Sequence, residues 1–233
     1  MATKEQMAQF YIQANKSTAK TKSGGYIQLE TAGYKSWTSE EQRSPRSKET
    51  GVEYVDIRKA LQGDGRTLYS DNASSCCILA GYVRRMAKAK EKGALDKVIF
   101  CRTFLSHVVD AKDTKLVGDT LQKFQQSFNS HIRFYMFTMQ AHLDRGRFYG
   151  SGDVGFSGAV GGLMNAYCSS SITLELIAKQ TIIVTGYQGY EWNNYNCGVY
   201  VRRNGVFPIS SEGNTKNLKL FPDDYTEGWR KQG

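Results

Sequence analysis

The chain is poor in the residues that break or pin a backbone and in those that do chemistry. It has three prolines and three histidines in 233 residues, and no long low-complexity tract. One continuous ordered domain with polar ends is expected from this. The five cysteines (Cys76, Cys77, Cys101, Cys168, Cys197) are odd in number and never spaced C-x-x-C. That spacing favours neither a disulfide framework nor a zinc site, and fits a reducing cytoplasm. No apolar run reaches membrane-spanning length, and the first residues lack the apolar centre of a signal peptide. A soluble, cytoplasmic protein is expected, with no membrane partner. No phosphate-binding G-x-x-x-x-G-K-S/T stretch occurs, and no acidic or histidine cluster has metal-ligand spacing.

What the chain has in excess is positive charge and tyrosine. Lysine and arginine number 31 against 22 acidic residues, a net charge of +9, and there are 14 tyrosines. The cations are spread along the chain rather than gathered in a block. A nucleic-acid-binding coat protein is one reading of such a balance, and a solvated basic surface is the plainer one.

The pattern predicts an α+β fold: an antiparallel β-sandwich with a projecting N-terminal helix and further helices packed on the sheet. Thr3 and Gln6 form a capping-box pattern. Met7, Phe10, Tyr11 and Ala14 then repeat at helical spacing and predict a short amphipathic helix over 3–15. Its apolar stripe needs a partner, either the chain's own core or a neighbouring subunit. Three regions are expected: a helix and linker over 1–25, a core over 26–209, and a polar tail over 210–233. Within the core, Val52–Leu61 reads as a strand, and Ser74 or Ser75 caps a helix running to about residue 92. Residues 98–109 and 132–143 read as strands, with a short helix over 120–128 between them. Residues 150–162, rich in glycine and small residues, read as either a close backbone approach or a loop. Residues 171–177 and 181–186 read as paired strands. Residues 199–209 form the strongest hairpin signal, turning at Asn204-Gly205.

Candidate chemistry is sparse. Cys76 or Cys77 at the start of a helix would have a lowered pKa. His107, His131 or His142 could then serve as base, with Asp144 or Asp153 orienting it, as in papain-like proteases. The aromatic residue usual after such a cysteine is missing. Asn196-Cys197-Gly198 is a second, weaker nucleophile candidate. Gly150–Gly155 has dinucleotide-like glycine spacing without a following helix signal. Arg84, Arg85 and Lys88 on one helical face could hold a phosphate or nucleotide, or simply be solvated.

The most distinctive stretch is 187–205, YQGYEWNNYNCGVYVRRNG, where tyrosines, a tryptophan and asparagines interleave. Aromatic rings with polar tips suit contact with other protein surface. Leu174-Glu175-Leu176, then Tyr187, Tyr190-Glu191-Trp192-Asn193-Asn194, then Gly198-Val199 resemble the C-terminal part of cypovirus polyhedrins. Lys59-Ala60-Leu61 before a glycine turn is a weaker echo. The resemblance implies a non-enzymatic matrix protein that crystallises in the host cytoplasm as occlusion bodies embedding virions. It implies an antiparallel sandwich, trimers as building units and nucleotides bound between subunits as structural ligands, with no cofactor required. It implies assembly through the N-terminal helix (Met7, Phe10, Tyr11, Ala14). Tyr187, Tyr190, Tyr195 and Tyr200 are then candidate alkali-labile contacts. The composition is compatible with alkaline release. With lysines neutralised, 13 arginines face 22 acidic residues, a net of −9. Tyrosines, with a reference pKa of about 10, then add further negative charge.

Overall fold

The computed structural model describes residues 2–18, 26–29, 51–64, 66–70, 73, 76–87, 97–139, 154–186, 198–202 and 205–209. Helix α1 (Lys4–Thr18) is followed by β1 (Tyr26–Leu29), β2 (Val52–Tyr54), β3 (Ala60–Gly63) and β4 (Thr67–Ser70). Then come β5 (Cys77–Ala87), β6 (Lys97–Val108), a 3-10 turn (Ala111–Asp113), α2 (Thr114–Phe124) and β7 (Ile132–Met139). Helices α3 (Val154–Tyr167) and α4 (Leu174–Lys179) lead to β8 (Thr181–Gly186), β9 (Gly198–Arg202) and β10 (Gly205–Ile209). The class is α+β, as expected. No helix among the described residues is long and apolar enough to cross a membrane.

The strands form two sheets. Six lie in the order β1-β8-β7-β5-β6-β3 and four in the order β10-β9-β4-β2. The expectation of antiparallel pairing throughout is corrected: β1 and β7 both run parallel to β8, and β2 runs parallel to β4. The parallel pair β7–β8 follows from its connection, because α3 and α4 carry the chain back between the two strands.

Strand β5 explains the layering. Cys77, Leu79 and Val83 enter a core cluster shared with the helices, through Phe10, Val117, Leu121, Phe156 and Leu163. Ile78 and Ala80, on the alternate positions, enter a second cluster with Leu68, Val199, Val201 and Val206 of the four-stranded sheet. A strand apolar on both faces reads as a continuous run, which periodicity alone does not separate from a helix. That is why 77–87 is a strand where a capped helix was expected.

Three further expectations change. Residues 154–167 form a helix rather than a loop, and the close approach that their glycines suggested is present. Glycines normally mark loops, but Gly155, Gly158 and Gly161 recur every three residues and form one close-packed face. Residues 174–179 are helical, not a strand, because Thr173 caps them: its hydroxyl accepts the Leu176 amide at 3.3 Å. The helix expected over 120–128 begins earlier, at Thr114. Its buried stripe is Val117, Leu121 and Phe124, and a capping box between Asp110 and Asp113 precedes it. The single strand expected over 52–61 is divided into β2 and β3, with Arg58 between them at a φ of 58°. The residue 199–209 hairpin forms as expected, with Arg202 facing Gly205 across its closing pair.

At the N-terminus the capping box is in place. The Gln6 amide donates to Thr3 Oγ1 at 3.2 Å and the Thr3 amide donates to Gln6 Oε1 at 2.9 Å. The helix does not project. Met7, Phe10 and Ala14 are buried, α1 packs on α3, α4 and β8, and Phe10 meets Phe156 edge-on at 6.3 Å. The apolar stripe finds cover in its own chain.

Candidate assembly face and the residues around it

The face of the four-stranded sheet turned away from the shared core is built by strand alternation. On β9, Val199 and Val201 point into the core between the sheets, so Tyr200 belongs to the opposite face. On β4, Leu68 is inward and Tyr69 outward by the same rule. Register then aligns the tyrosines: Tyr54 lies opposite Tyr69, and Tyr69 opposite Tyr200. The ring centroids are 5.9 Å and 4.5 Å apart. The Arg202 guanidinium sits 4.4 Å from the Tyr200 ring centroid, a cation–π distance. Val52 completes the patch. Tyr69 and Tyr200 are only 1% and 5% exposed, so this row is a packed aromatic platform.

Of the four tyrosines expected at contacts, Tyr200 is thus placed in a stack within its own chain. Tyr187, Tyr190 and Tyr195 lie outside the described residues. Tyr11 lies on α1, and its side chain is outside what is described. Tyr54 and Tyr69, the partners in the row, were missed by sequence reading. Their signal was the alternation of 52–54 and 67–70, which only the pairing register brings together.

The helix expected to carry Arg84, Arg85 and Lys88 is a strand as far as residue 87: Arg84 and Arg85 are positions of β5, paired with Cys101 and Phe100. Lys88 lies outside the described residues.

Of the candidate catalytic residues, Cys76, Cys77, His107 and His131 lie among the described ones. Cys77 heads a strand, is fully buried and pairs with Val108. It lies on the helix side of the six-stranded sheet. His107, one position away in register, lies on the other side, so the two do not face each other. Cys76 is half-buried and packs against the core between the sheets. His131 is exposed in the turn before β7, and its amide donates to Asn129 Oδ1 at 2.9 Å. It lies at the end of β7 that pairs with Val83, about 20 Å along the sheet from Cys77. His142, Asp144, Asp153 and Cys197 lie outside the described residues, as do Gly150 to Gly152.

His107 is held in the core by a hydrogen-bond chain. Ser70 Oγ donates to the Val55 carbonyl at 2.7 Å, so it accepts from the His107 Nδ1–H at 3.1 Å. That chain joins β4, β6 and the segment after β2 inside the core. Beside it, the Arg58 amide donates to the His107 carbonyl and the His107 amide donates to the Lys59 carbonyl, each at 3.0 Å.

Arg58 is also the centre of an ion-pair cluster that sequence reading missed. Its guanidinium donates to Asp110 at 2.5 Å and to Asp113 at 3.1 Å. Asp113 is buried, and its other oxygen accepts the Val109 amide at 2.8 Å and the Asp110 amide at 3.3 Å. The hydrogen bond to Asp110 raises the Arg58 pKa above its ordinary value. The same bond lowers the Asp110 carboxyl, helped by the Lys112 amide. An Asp-x-x-Asp pair was the readable part of the signal, since it forms the capping box. The reach from residue 58 was not readable.

Elsewhere, burial raises the Tyr167 hydroxyl pKa above its ordinary value, and that hydroxyl donates to the Leu121 carbonyl at 3.1 Å. Burial also raises the Cys168 thiol. Among the described residues, no three His, Cys, Asp or Glu side chains gather into a metal-holding group. No protein-family model matches this chain, and no curated protein matches it.

Proposed function

We propose that this protein is a structural matrix protein of viral occlusion bodies, assembling through copies of itself into a crystalline lattice in the host cytoplasm. The lattice would embed and protect virions and dissolve at alkaline pH, with homotrimers as its unit and nucleotides as structural ligands between subunits. The observation that carries the reading is the aromatic row of Tyr54, Tyr69 and Tyr200 closed by Arg202. This row anchors β9, and β9 begins at Gly198-Val199, where the tyrosine- and asparagine-rich stretch of 187–197 ends. A rigid platform at the exit of such a stretch suits an adhesive segment, since aromatic and amide groups gain most when held in place.

Two features bear on the finer picture. The two sheets share one apolar layer, which supports a sandwich, although with mixed pairing. The polyhedrin-like Leu174–Leu176 segment is helical, so the resemblance rests on Gly198-Val199 and on the sequence of 187–194. The docked helix α1 remains compatible with assembly. A helix buried on its own core can exchange into the same socket of a second copy without new contacts.

Expression of the full chain in insect cells, viewed by light microscopy, tests the proposal. Refractile intracellular crystals that persist near neutral pH and dissolve above about pH 10 are expected. A protein that stays monomeric and freely soluble at neutral pH and high concentration would sink it. An RNA-binding coat protein would instead bind RNA with an affinity falling steeply as salt rises.

A further inference from the structure

The ion pairs among the described residues divide by residue type. Those joining separate parts of the fold use arginine. Arg58 ties the β2–β3 connection to Asp110 and Asp113 after β6; Arg66 ties the start of β4 to Glu53 of β2 at 3.0 Å; Arg102 of β6 reaches Asp64 after β3 at 3.4 Å. Arg102 also donates to the Phe124 carbonyl at the end of α2, at 3.0 Å. The lysine pairs, Lys115–Asp119 and Lys179–Glu175, each stay within a single helix at i,i+4; exposure does not separate the two kinds, since Arg66 and Glu53 are exposed as well.

We propose that the protomer keeps its fold through the alkaline charge reversal that takes its assemblies apart, because arginine clamps its tertiary structure while lysine and tyrosine charge its surface. The proposal rests on the matrix reading for the assembly half. The physical basis is the gap between lysine, which loses its proton near pH 10.4, and arginine, which does not below about pH 12. Around Arg58 the facing groups are Asp110 and Asp113, with Lys112 close to Asp110 and Asp56 and Lys59 on its own segment. The Arg58 hydrogen bond holds the Asp110 carboxyl below its ordinary value, so loss of that clamp at alkaline pH requires loss of the arginine charge. Opposing it, Tyr167 is buried between α2 and β7 against Phe128 and Phe134. Its ionisation is favoured on unfolding, so the fold weakens by up to tenfold in its equilibrium constant per pH unit above about pH 10. The device is therefore a window: assemblies release first, and the fold fails at higher pH.

Two titrations of the full chain from neutral to about pH 11.5 decide this, with the range set by the lysine and tyrosine reference values. Light scattering follows the assembly, and near-UV circular dichroism with thermal melts follows the fold. Scattering should collapse near pH 10 while the dichroism and a cooperative melt persist about one pH unit higher. Arg58→Lys should dissolve at the same pH as the parent. Its deficit in melting temperature should widen as pH rises from 9 to 11, as the new lysine is neutralised; Arg66→Lys repeats the test if Arg58→Lys does not fold. A deficit that stays constant with pH, or a parent whose dichroism vanishes together with the scattering, overturns the proposal. If the parent never scatters at neutral pH, the matrix reading fails by itself, and the lysine variants still decide the clamp.

Discussion

Replacing Gly158 by alanine sets two physical effects against each other. Gly158 lies inside α3, where alanine is intrinsically favoured by about 1 kcal/mol. Packing opposes it. A Cβ at this position would stand 2.4 Å from the Asp110 carbonyl oxygen, 2.7 Å from Val108 Cγ1 and 3.0 Å from the Asp110 carbonyl carbon. The oxygen is backbone and already engaged, accepting the Asp113 amide at 3.0 Å, while the Asp110 side chain holds Arg58 and the Lys112 amide. Relief requires moving α3 away from the 3-10 turn or breaking that turn. Overpacking of this kind costs about 1–3 kcal/mol and the disturbed hydrogen bond about 1 more. After the propensity gain, a net loss of about 1–3 kcal/mol is expected, which for a chain of this length lowers Tm by roughly 2–12 °C. Gly118→Ala is the matched comparison. Its Cβ would meet the Asn165 side chain at 2.6 Å, an amide that can swing aside, so its Tm should fall much less. Thermal melts of the two variants by circular dichroism suffice. A Gly158→Ala protein as stable as its parent, or more so, would refute the close approach of α3 to Asp110.

Phe10→Ala removes a fully buried ring from the α1 socket and should cost about 3–4 kcal/mol, read as a lower denaturant midpoint and faster proteolysis after residue 18. An unchanged midpoint would show that α1 is not seated on Phe156. Asp113→Ala strips acceptors from the Val109 and Asp110 amides and should cost about 2–4 kcal/mol, because the carboxylate lies inside the fold; chemical denaturation measures it, and a loss below 1 kcal/mol (about the cost of one ordinary hydrogen bond) would count against the cluster. Tyr167 has a folded pKa above its unfolded value, so the stability it contributes is complete below about pH 10 and is lost as pH rises toward the folded value. The parent should therefore lose about 1.4 kcal/mol per pH unit from this group above pH 10, and Tyr167→Phe should remove that slope. Equal slopes in the two proteins would contradict the burial of the hydroxyl.

The residues that were legible in sequence are those whose local pattern and tertiary role agree. Thr3 and Gln6 cap α1 as their spacing indicates, and the Asn-Gly signal marks the β9–β10 hairpin. Strands β6 and β7 were readable from branched and aromatic residues. Misreadings came where tertiary context reverses a local rule. Apolar residues on both faces of β5 imitate a helix, because the strand is central and covered by helices on one side and by the second sheet on the other. Glycines in α3 imitate a loop, because their value there is the missing Cβ rather than backbone freedom. The site was less legible than the fold. Arg58 meets Asp110 and Asp113 across more than fifty residues, and the tyrosine row exists only through the β2–β4–β9 register. No local pattern encodes such encounters.

The place of the first elements has a consequence in time. Strand β1 pairs with β8, with Tyr26 opposite Ile183, and α1 packs on α3 and α4. A ribosome makes α1 and β1 first, and their partners emerge about 150 residues later, on the order of ten to thirty seconds at ordinary synthesis rates. During that interval the Met7, Phe10 and Ala14 stripe has no finished socket in its own chain. On a messenger carrying several ribosomes, a completed protomer nearby would present such a socket while its own helix was still settling. If copies of this chain exchange α1, as the matrix reading allows, the exchange is easiest during synthesis, when local concentration is highest and the intramolecular competitor has not yet been made.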